Sequence, residues 1–294
     1  MNQPENAIVV AVGPQGSVSA LVFAVAEARR SGRPLHVVHV LQIHAGEAYA
    51  GVYGGALEVA AGILETATAK AHILADGDVP VTSELVDHGT VILDMIERSK
   101  NASLIVLEHR RMNRIRRLVT GSIANGVAAK AHAPVVSVPE GWHPVAGAHH
   151  VVTVAVQEPA GEGAQLVTAF EAAQERSAAL VIMHAWWLGH GYDVVTMDKE
   201  FNEEWQLRTN EDIEPVLAPL RQRFPDVQVT VSLRHSPPAE AILKASETSD
   251  LVVIGRRHHT LPMWTHLGPV ARAILARSSA PVMVTLESEH APTP

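Results

Sequence analysis

The sequence contains no cysteine. Disulfide bonds, thiol catalysis and cysteine-ligated metal sites are therefore excluded, and the absence is compatible with a reducing compartment. Long apolar runs are also missing, because no charge-free stretch approaches the roughly 20 apolar residues that a membrane-spanning helix needs. The N-terminal segment carries Glu5 where a secretory signal would carry a basic residue. These absences predict a cytoplasmic protein that does not enter a membrane.

A positive net charge is lacking as well, since the formal net charge is −8 at pH 7. A chain with this balance has no overall positive field to attract a nucleic-acid backbone, so general nucleic-acid binding is not favoured. The sequence also lacks GxGxxG after a first strand, GxxxxGK[ST] and GxSxG. We find no nucleophile with a visible base, and therefore predict that the protein is not an enzyme.

The sequence does contain an internal repeat. SLIVLEHRR from Ser103 matches DLVVIGRRH from Asp250, and KAHAPVVSV from Lys130 matches RSSAPVMVT from Arg277, both at an offset of 147 residues. Self-similarity in one shared register indicates a duplicated domain. A chain of 294 residues also agrees with two domains of about 150 residues each. We predict a first domain at residues 1–140, a linker at 141–149 and a second domain at 150–294.

Within each copy, apolar β-branched runs alternate with amphipathic stretches, which is typical of βαβ units and a parallel sheet. The strands carry few charges, so we expect helices on both faces of each sheet. One such helix is predicted at residues 17–30, where small apolar residues fall on one face. The predicted strands lie near residues 7–12, 35–41, 79–86, 104–107 and 134–138 in the first copy, and near 151–156, 180–185, 227–233, 250–254 and 281–285 in the second.

An arginine-rich stretch follows the fourth strand of the first copy. In LEHRRMNRIRRLVTGSIANG, residues 107–126, five arginines and one histidine lie within nine residues. The pattern favours a solvated loop whose arginines pair with acids, and contact with a phosphate is the alternative. Specific nucleic-acid binding is less favoured, because no aromatic residues for base stacking lie between the arginines. The matching loop RRHHTLPMWTH lacks the helical HExxH spacing, so no metal site is predicted.

The two repeats resemble the tandem universal stress proteins over nearly the whole chain. The resemblance rests on VAV before a polar turn and a small-residue helix, on VVHV in the second strand, and on GSIANGVAAKAHAPVVSV at residues 121–138. It implies two tandem doubly wound α/β domains, each with a five-stranded parallel sheet in the order 3-2-1-4-5, of the adenine-nucleotide-hydrolase-like type. It also implies a regulatory or binding module in stress response, with a crevice between the first and fourth strands.

Nucleotide-binding members of that family carry an Asp just after the first strand. After the fourth strand they carry Gly, two residues, Gly, nine residues, Gly and then Ser or Thr. Small residues let backbone N–H groups approach phosphates, and the helix N-terminus adds partial positive charge. In the first copy Gly13 replaces the Asp, Glu108 and Arg111 replace two glycines, and Gly121 and Ser122 remain.

The second copy departs from the pattern at other positions. Gly255 and Gly268 remain, whereas Gln157, His258 and Pro269 replace the Asp, the middle glycine and the Ser or Thr. The resemblance therefore implies degenerate loops with no required cofactor, at which ATP or another phosphorylated ligand binds weakly. Arginine can bind phosphate with bidentate geometry. The candidate nucleotide- or phosphate-binding residues are Gly13, Arg110, Arg111, Gly121, Ser122, Gln157, Gly255, Arg257 and Gly268.

The family also pairs its closing strands about a two-fold axis. The resemblance implies that residues 135–138 meet residues 282–286 antiparallel within one chain, and it leaves a homodimer open. Two other functions stay open, namely an ATP-binding protein with slow hydrolysis and an interaction scaffold with empty crevices.

Two pairs of histidines occupy matching places in the repeats, His39 with His184 and His88 with His235. Histidine titrates near neutrality, so a pH switch is one interpretation. We favour the other, in which the matching placement reflects the packing or hydrogen bonding of the duplicated ancestor.

Overall fold

The computed structural model describes residues 3–42, 50–109, 120–144, 149–158, 163–187, 199–256 and 267–286. The chain divides into two compact units, one built on the first sequence repeat and the other on the second. Within the described residues, no helix is both long and apolar enough to cross a membrane.

The first unit is a parallel sheet with the strand order β3-β2-β1-β4-β5. This confirms the predicted doubly wound α/β fold. Helix α1 packs against α2, and α3 packs against α4. Right-handed crossovers that leave β1 in opposite directions place these two helix pairs on opposite faces of the sheet. The elements in chain order are β1 (Ala7–Ala11), α1 (Val18–Ser31), β2 (Leu35–Val40), α2 (Ala50–Ala75), β3 (Val81–Val86), α3 (Val91–Arg98), β4 (Ala102–His109), α4 (Thr120–Lys130) and β5 (Val135–Pro139).

The second unit repeats this arrangement. Its parallel strands lie in the order β10-β9-β6-β7-β8, which is the same topology numbered from the other end. The elements are β6 (Val151–Val156), α5 (Gly163–Glu175), β7 (Ala179–Trp186), α6 (Lys199–Arg223), β8 (Val229–His235), α7 (Pro238–Ala245), β9 (Leu251–Gly255), α8 (Pro269–Arg277) and β10 (Val282–Thr285), with a short 3₁₀ turn at Ser246–Thr248.

The ten predicted strands are confirmed with small changes at their ends. The largest change in length is in β4, which was predicted at residues 104–107 and runs over Ala102–His109. Its added C-terminal residues pair with β5, Glu108 with Val138 and His109 with Pro139. The apolar pattern did not predict this extension, because its side chains are polar. Backbone pairing does not depend on the side chain.

Helix α1 shows how local sequence sets an element. Its buried face contains the apolar residues predicted for residues 17–30, among them Leu21, Ala24 and Ala28. The helix ends at Gly32, whose φ of 66° is left-handed and whose N–H donates to the Ala28 carbonyl. Glycine adopts this conformation without a steric cost, so it stops the helix in the manner typical of a C-terminal cap.

A buried polar cluster joins β2, β3 and α3 in the first unit. His36 has no exposed surface, and its Nε2 lies 3.2 Å from Glu84 Oε2 while its Nδ1 lies 2.8 Å from Thr82 Oγ1. Arg98 donates to both carboxylate oxygens of Glu84, at 2.6 and 3.2 Å. Burial lowers the pKa of His36. Burial alone would raise the pKa of Glu84, but the hydrogen bonds from Arg98 and His36 hold it below its ordinary value.

Candidate functional site

Each sheet has one point at which the strand order reverses. In the first unit β1 lies between β2 and β4, and in the second β6 lies between β7 and β9. An open parallel sheet binds ligands at such a point, in the crevice beyond the carboxyl ends of the strands. The two candidate sites are therefore the end of β1 beside β4, called the first crevice, and the end of β6 beside β9, called the second crevice.

The first crevice contains a carboxylate of the protein itself. Oε2 of Glu108, at the end of β4, accepts hydrogen bonds from the backbone N–H groups of Ser19 at 2.8 Å and Ala20 at 3.2 Å. These donors belong to the first turn of α1, where N–H groups have no partner within the helix. The residue before the helix, Ser17, makes no side-chain cap. Glu108 is thus the cap of α1, and it occupies donors that a bound anion would use.

In the turn that leads into α1, two backbone N–H groups are also hydrogen-bonded within the protein. The Gly13 N–H donates to Ser17 Oγ at 3.0 Å, and the Gly16 N–H donates to the Gly13 carbonyl at 2.9 Å. Gly16 has a φ of 85°, which explains why glycine stands there. Among the described residues, a Cβ on Gly13 would meet only Ser17 Oγ, at an ordinary 3.7 Å. Gly13 therefore leaves room for a side chain, and its backbone donor is already engaged.

In the second crevice the polar side chain comes from the helix and not from the strand. Gln165, in the first turn of α5, is only 6% exposed, and its Nε2 donates to the Ala155 carbonyl at 2.7 Å. Its Oε1 lies over Gly255 at the end of β9, since a Cβ built there would lie 2.5 Å from that oxygen. The amide of Gln165 thus joins the ends of β6 and β9, the two strands that border the crevice.

The long and the short side chain are exchanged between the two crevices. In the first, the long side chain is Glu108 on the strand, and it reaches the small residues Ser19 and Ala20 on the helix. In the second, the strand supplies Gly255 and the helix supplies the long side chain of Gln165. Each crevice holds one polar side chain where the helix approaches the fourth strand of its sheet.

The matched histidines on the second strands serve one purpose in both units. Nδ1 of His39 lies 2.7 Å from the Val12 carbonyl, and Nδ1 of His184 lies 3.1 Å from the Val156 carbonyl. Each histidine therefore donates to the carbonyl that ends the first strand, which confirms the hydrogen-bonding interpretation for this pair.

The histidines of the other pair have different surroundings. His88 is exposed, and its Nδ1 lies 3.2 Å from Asp87 and 3.4 Å from the Tyr53 hydroxyl. Both rings meet an aromatic ring edge-on, since His88 lies 5.7 Å from Tyr53 and His235 lies 4.3 Å from Trp186 between ring centroids. The pair therefore shares an aromatic contact, although His88 is exposed and His235 is partly buried.

An aromatic cluster lies at the carboxyl ends of β7 and β8. Trp205 of α6 approaches Trp186 at 4.7 Å and stacks on His184 at 5.6 Å between ring centroids. Trp187 stacks on His235 at 5.2 Å and is 38% exposed. Because β7 pairs with β6, this cluster flanks the second crevice on the side away from Gln165.

The remaining predicted site residues are spread over several elements. Gly121 and Ser122 belong to the first turn of α4. Gln157 is exposed just after β6. Gly268 caps α8 with Pro269 as the first helical residue, so that turn has one backbone donor fewer. Arg110, Arg111 and Arg257 lie outside the described residues, as do the histidines of the second loop at 258, 259 and 266.

Sequence reasoning missed Gln165 and the partners of Glu108. Gln165 could have been noticed as a polar residue on the apolar face of α5, which continues through Ala169 and Ala173. In the sequence, Glu108 stood out only as a replacement for a glycine of the family pattern. Among the described residues, no group of three His, Cys, Asp or Glu side chains could hold a metal ion.

Comparison with known proteins places this geometry in a family. A model described as the universal stress protein family matches residues 6–139 and again residues 149–285. Universal stress protein Rv1996 of Mycobacterium tuberculosis is 28% identical over 211 residues, which are 69% of this chain and only 65% of that relative's length. Universal stress protein Rv2005c of the same organism is 27% identical over 302 residues, covering 98% of this chain and all of the relative, 100%.

A solved structure agrees with the fold over nearly the whole chain. A universal stress protein from Archaeoglobus fulgidus superposes with a TM-score of 0.71 at 17% identity, covering 97% of this chain and 98% of its own. Another from Archaeoglobus fulgidus, solved in complex with dAMP, is 25% identical and covers 45% of this chain and 95% of its own with a TM-score of 0.35.

Proposed function

Because the chain belongs to the universal stress protein family, we propose that it is a regulatory binding module of the stress response, located in the cytoplasm and without a catalytic step. Its domains are the predicted ones, residues 1–140 and 150–294 joined by 141–149. Neither crevice is built to hold a nucleotide tightly, so the protein acts through a weak ligand or through a partner.

The observation that carries this proposal is the carboxylate of Glu108 on the N–H groups of Ser19 and Ala20. A phosphate that entered the first crevice would have to displace this carboxylate or lie beside it. Two like charges about 4 Å apart repel by on the order of 4 kcal/mol at an effective dielectric constant of about 20. The N-terminus of α1 in the first crevice is therefore a poor site for an anion, whatever its base.

The second crevice supports the same conclusion by other means. Gln165 fills the space over Gly255, and Pro269 removes a backbone donor at the start of α8. Losing two or three polar contacts at about 1 to 3 kcal/mol each moves a micromolar site toward the millimolar range. Gln157 brings no charge to replace the Asp of the family pattern.

Titration calorimetry with Mg-ATP tests this proposal. We expect a dissociation constant in the high micromolar range at best, and mass spectrometry after gentle purification should find no bound nucleotide. Tight stoichiometric binding, or ATP carried through purification, contradicts the proposal. Glu108→Ala is the informative comparison, because it removes the competing carboxylate and should bind Mg-ATP more strongly than the native chain.

A slow ATPase that uses the second unit is the other candidate. It is favoured by Gly268, since a Cβ added there would meet no heavy atom of the described residues within 4 Å. Release of inorganic phosphate from Mg-ATP at saturating concentration distinguishes the two functions. A rate that Gly268→Val abolishes supports the ATPase, whereas a rate equal to the buffer blank supports the non-catalytic module.

We further propose that the two domains pair through their closing strands, with residues 135–138 antiparallel to 282–286. Both segments are apolar, and an apolar strand at the end of a sheet favours pairing with another strand. The chain has no cysteine, so pairs of introduced cysteines can be tested by oxidation. In antiparallel strands, a cysteine placed later in the first strand should cross-link to a cysteine placed earlier in the second. Cross-links that follow the parallel order, or no cross-links at all, contradict the proposal. Sedimentation distinguishes pairing within one chain from a homodimer.

A further inference from the structure

Gly255 could be retained for two different physical reasons. A glycine at a strand end lets a ligand approach the backbone, or it makes room for another part of the same chain. The two reasons predict opposite effects when its neighbours are changed. In the second unit the neighbour is Gln165, which approaches from α5.

A Cβ at position 255 fits only if the Gln165 side chain moves. A Cβ there would lie 2.5 Å from Oε1 of Gln165 and 3.2 Å from its Cδ. The Gln165 side chain cannot simply turn away, because its Nε2 is held by the Ala155 carbonyl at 2.7 Å and the residue is 6% exposed. Glycine at 255 is therefore already explained by the packing of Gln165.

We propose that Gln165 is a specificity-determining residue that closes the second crevice to polyphosphate groups. The proposal rests on the proposed function, in which the crevices bind nucleotides weakly. Oε1 of Gln165 occupies the space in front of Gly255, between the ends of β6 and β9 where the strand order reverses. This oxygen is a hydrogen-bond acceptor, as phosphate oxygens are, so the two repel each other as well as compete for volume.

Three variants separate closure from hydrogen bonding. Gln165→Ala empties the space and removes the bond to Ala155. Gln165→Met removes the same bond but keeps the space filled, and it is the matched control. The double variant Gln165→Ala, Gly255→Ala removes the long side chain and adds a methyl group at position 255, where glycine has no Cβ.

The measurement is calorimetry with two probes, Mg-ATP and sodium tripolyphosphate, on the full chain. Gln165→Ala should bind both at least tenfold more tightly than the native chain, whereas Gln165→Met should bind no better than native. The double variant should lose the gain. A gain for Mg-ATP alone would assign the opened space to the nucleoside and overturn the polyphosphate assignment. Equal binding by Gln165→Ala and the native chain would overturn the proposal altogether.

Thermal melting provides a readout that needs no ligand. Gly255→Ala should lower the melting temperature clearly in the native chain and much less in the Gln165→Ala background, because the clash is gone there. Equal losses in both backgrounds contradict the proposed contact. Tight Mg-ATP binding by the native chain refutes the proposed function whatever these variants do. Weak native binding that Gln165→Ala leaves unchanged refutes only the role of Gln165.

Discussion

Substitution of Glu108 tests the cap of α1 directly. The carboxylate accepts two backbone hydrogen bonds, at 2.8 Å from Ser19 and 3.2 Å from Ala20. A hydrogen bond to a charged group contributes about 1.5 to 3 kcal/mol, and loss of a helix N-cap costs about 0.5 to 2 kcal/mol. Because the residue is partly exposed, water replaces some of the lost contact. We expect Glu108→Ala to lower the free energy of unfolding by about 2 kcal/mol, and Glu108→Gln by about 1 kcal/mol.

Urea denaturation at neutral pH measures this change, and hydrogen exchange locates it. A loss of about 2 kcal/mol corresponds to a fall of roughly 4 to 8 °C in the melting temperature for a domain of this size. Trp142 packs edge-on against Phe23 of α1, with ring centroids 5.6 Å apart, so its fluorescence follows the first unit. The matched control is Glu97→Gln, whose carboxylate is exposed and pairs only with Lys100 at 2.6 Å among the contacts seen here.

The reasoning is refuted if Glu108→Ala stays within about 0.5 kcal/mol of the native chain, which is the range of ordinary surface substitutions. It is also refuted if the amides of Ser19 and Ala20 keep their native exchange rates. In either case the hydrogen bonds from α1 would not be stabilising, and Glu108 would be free to move aside for an anion.

Three further predictions concern other parts of the chain. The pKa values of His36 and Glu84 are both lowered in the folded protein, so the unfolded chain binds more protons. Stability therefore falls as the pH drops below the ordinary pKa values of 6.5 and 4.5. In His36→Gln, the urea midpoint should depend less steeply on pH between about pH 7 and pH 5. Gly126→Ala would set a Cβ 2.9 Å from Ile92 Cδ1 and should destabilise the protein by about 1 kcal/mol. Gly62→Ala, with no described atom within 4 Å of the new Cβ, should stabilise the protein by about 0.5 to 1 kcal/mol. Thermal melting measures both changes. Binding of tripolyphosphate should weaken and lose salt dependence, with the fold intact, when alanine replaces Arg110, Arg111 and Arg114; an unfolded triple variant would show that these arginines are structural.

The elements of the fold could be predicted because their signals are local. An apolar run such as the β2 sequence LHVVHV is buried at every position, and burial on both faces leaves a continuous pattern rather than an alternating one. The end of β4 was missed because Glu108 and His109 interrupt that pattern. The place of His39 and His184 on the second strand of each repeat supplied their matching, and the structure confirms it as a shared hydrogen bond.

The candidate site could be predicted only as a place. The repeated strand order puts a crevice at the end of β1 and of β6, but the content of each crevice depends on side chains far apart in the chain. Glu108 and Ser19 are 89 residues apart. The sequence showed that a carboxylate replaces a glycine of the family pattern, but not which helix this carboxylate caps.

The amino-acid sequence by itself determined the duplication, the two parallel sheets and the loss of the family's glycines, because periodicity, repeat register and residue identity can all be read along the chain. Only the tertiary structure decided that a carboxylate closes one crevice and an amide the other. A strand-end Gly255 and a helix-start Gln165 say nothing about each other in the sequence. They meet because β6 and β9 pair side by side and α5 begins above them. At that distance the Gln165 side chain occupies the space that a side chain at position 255 would need.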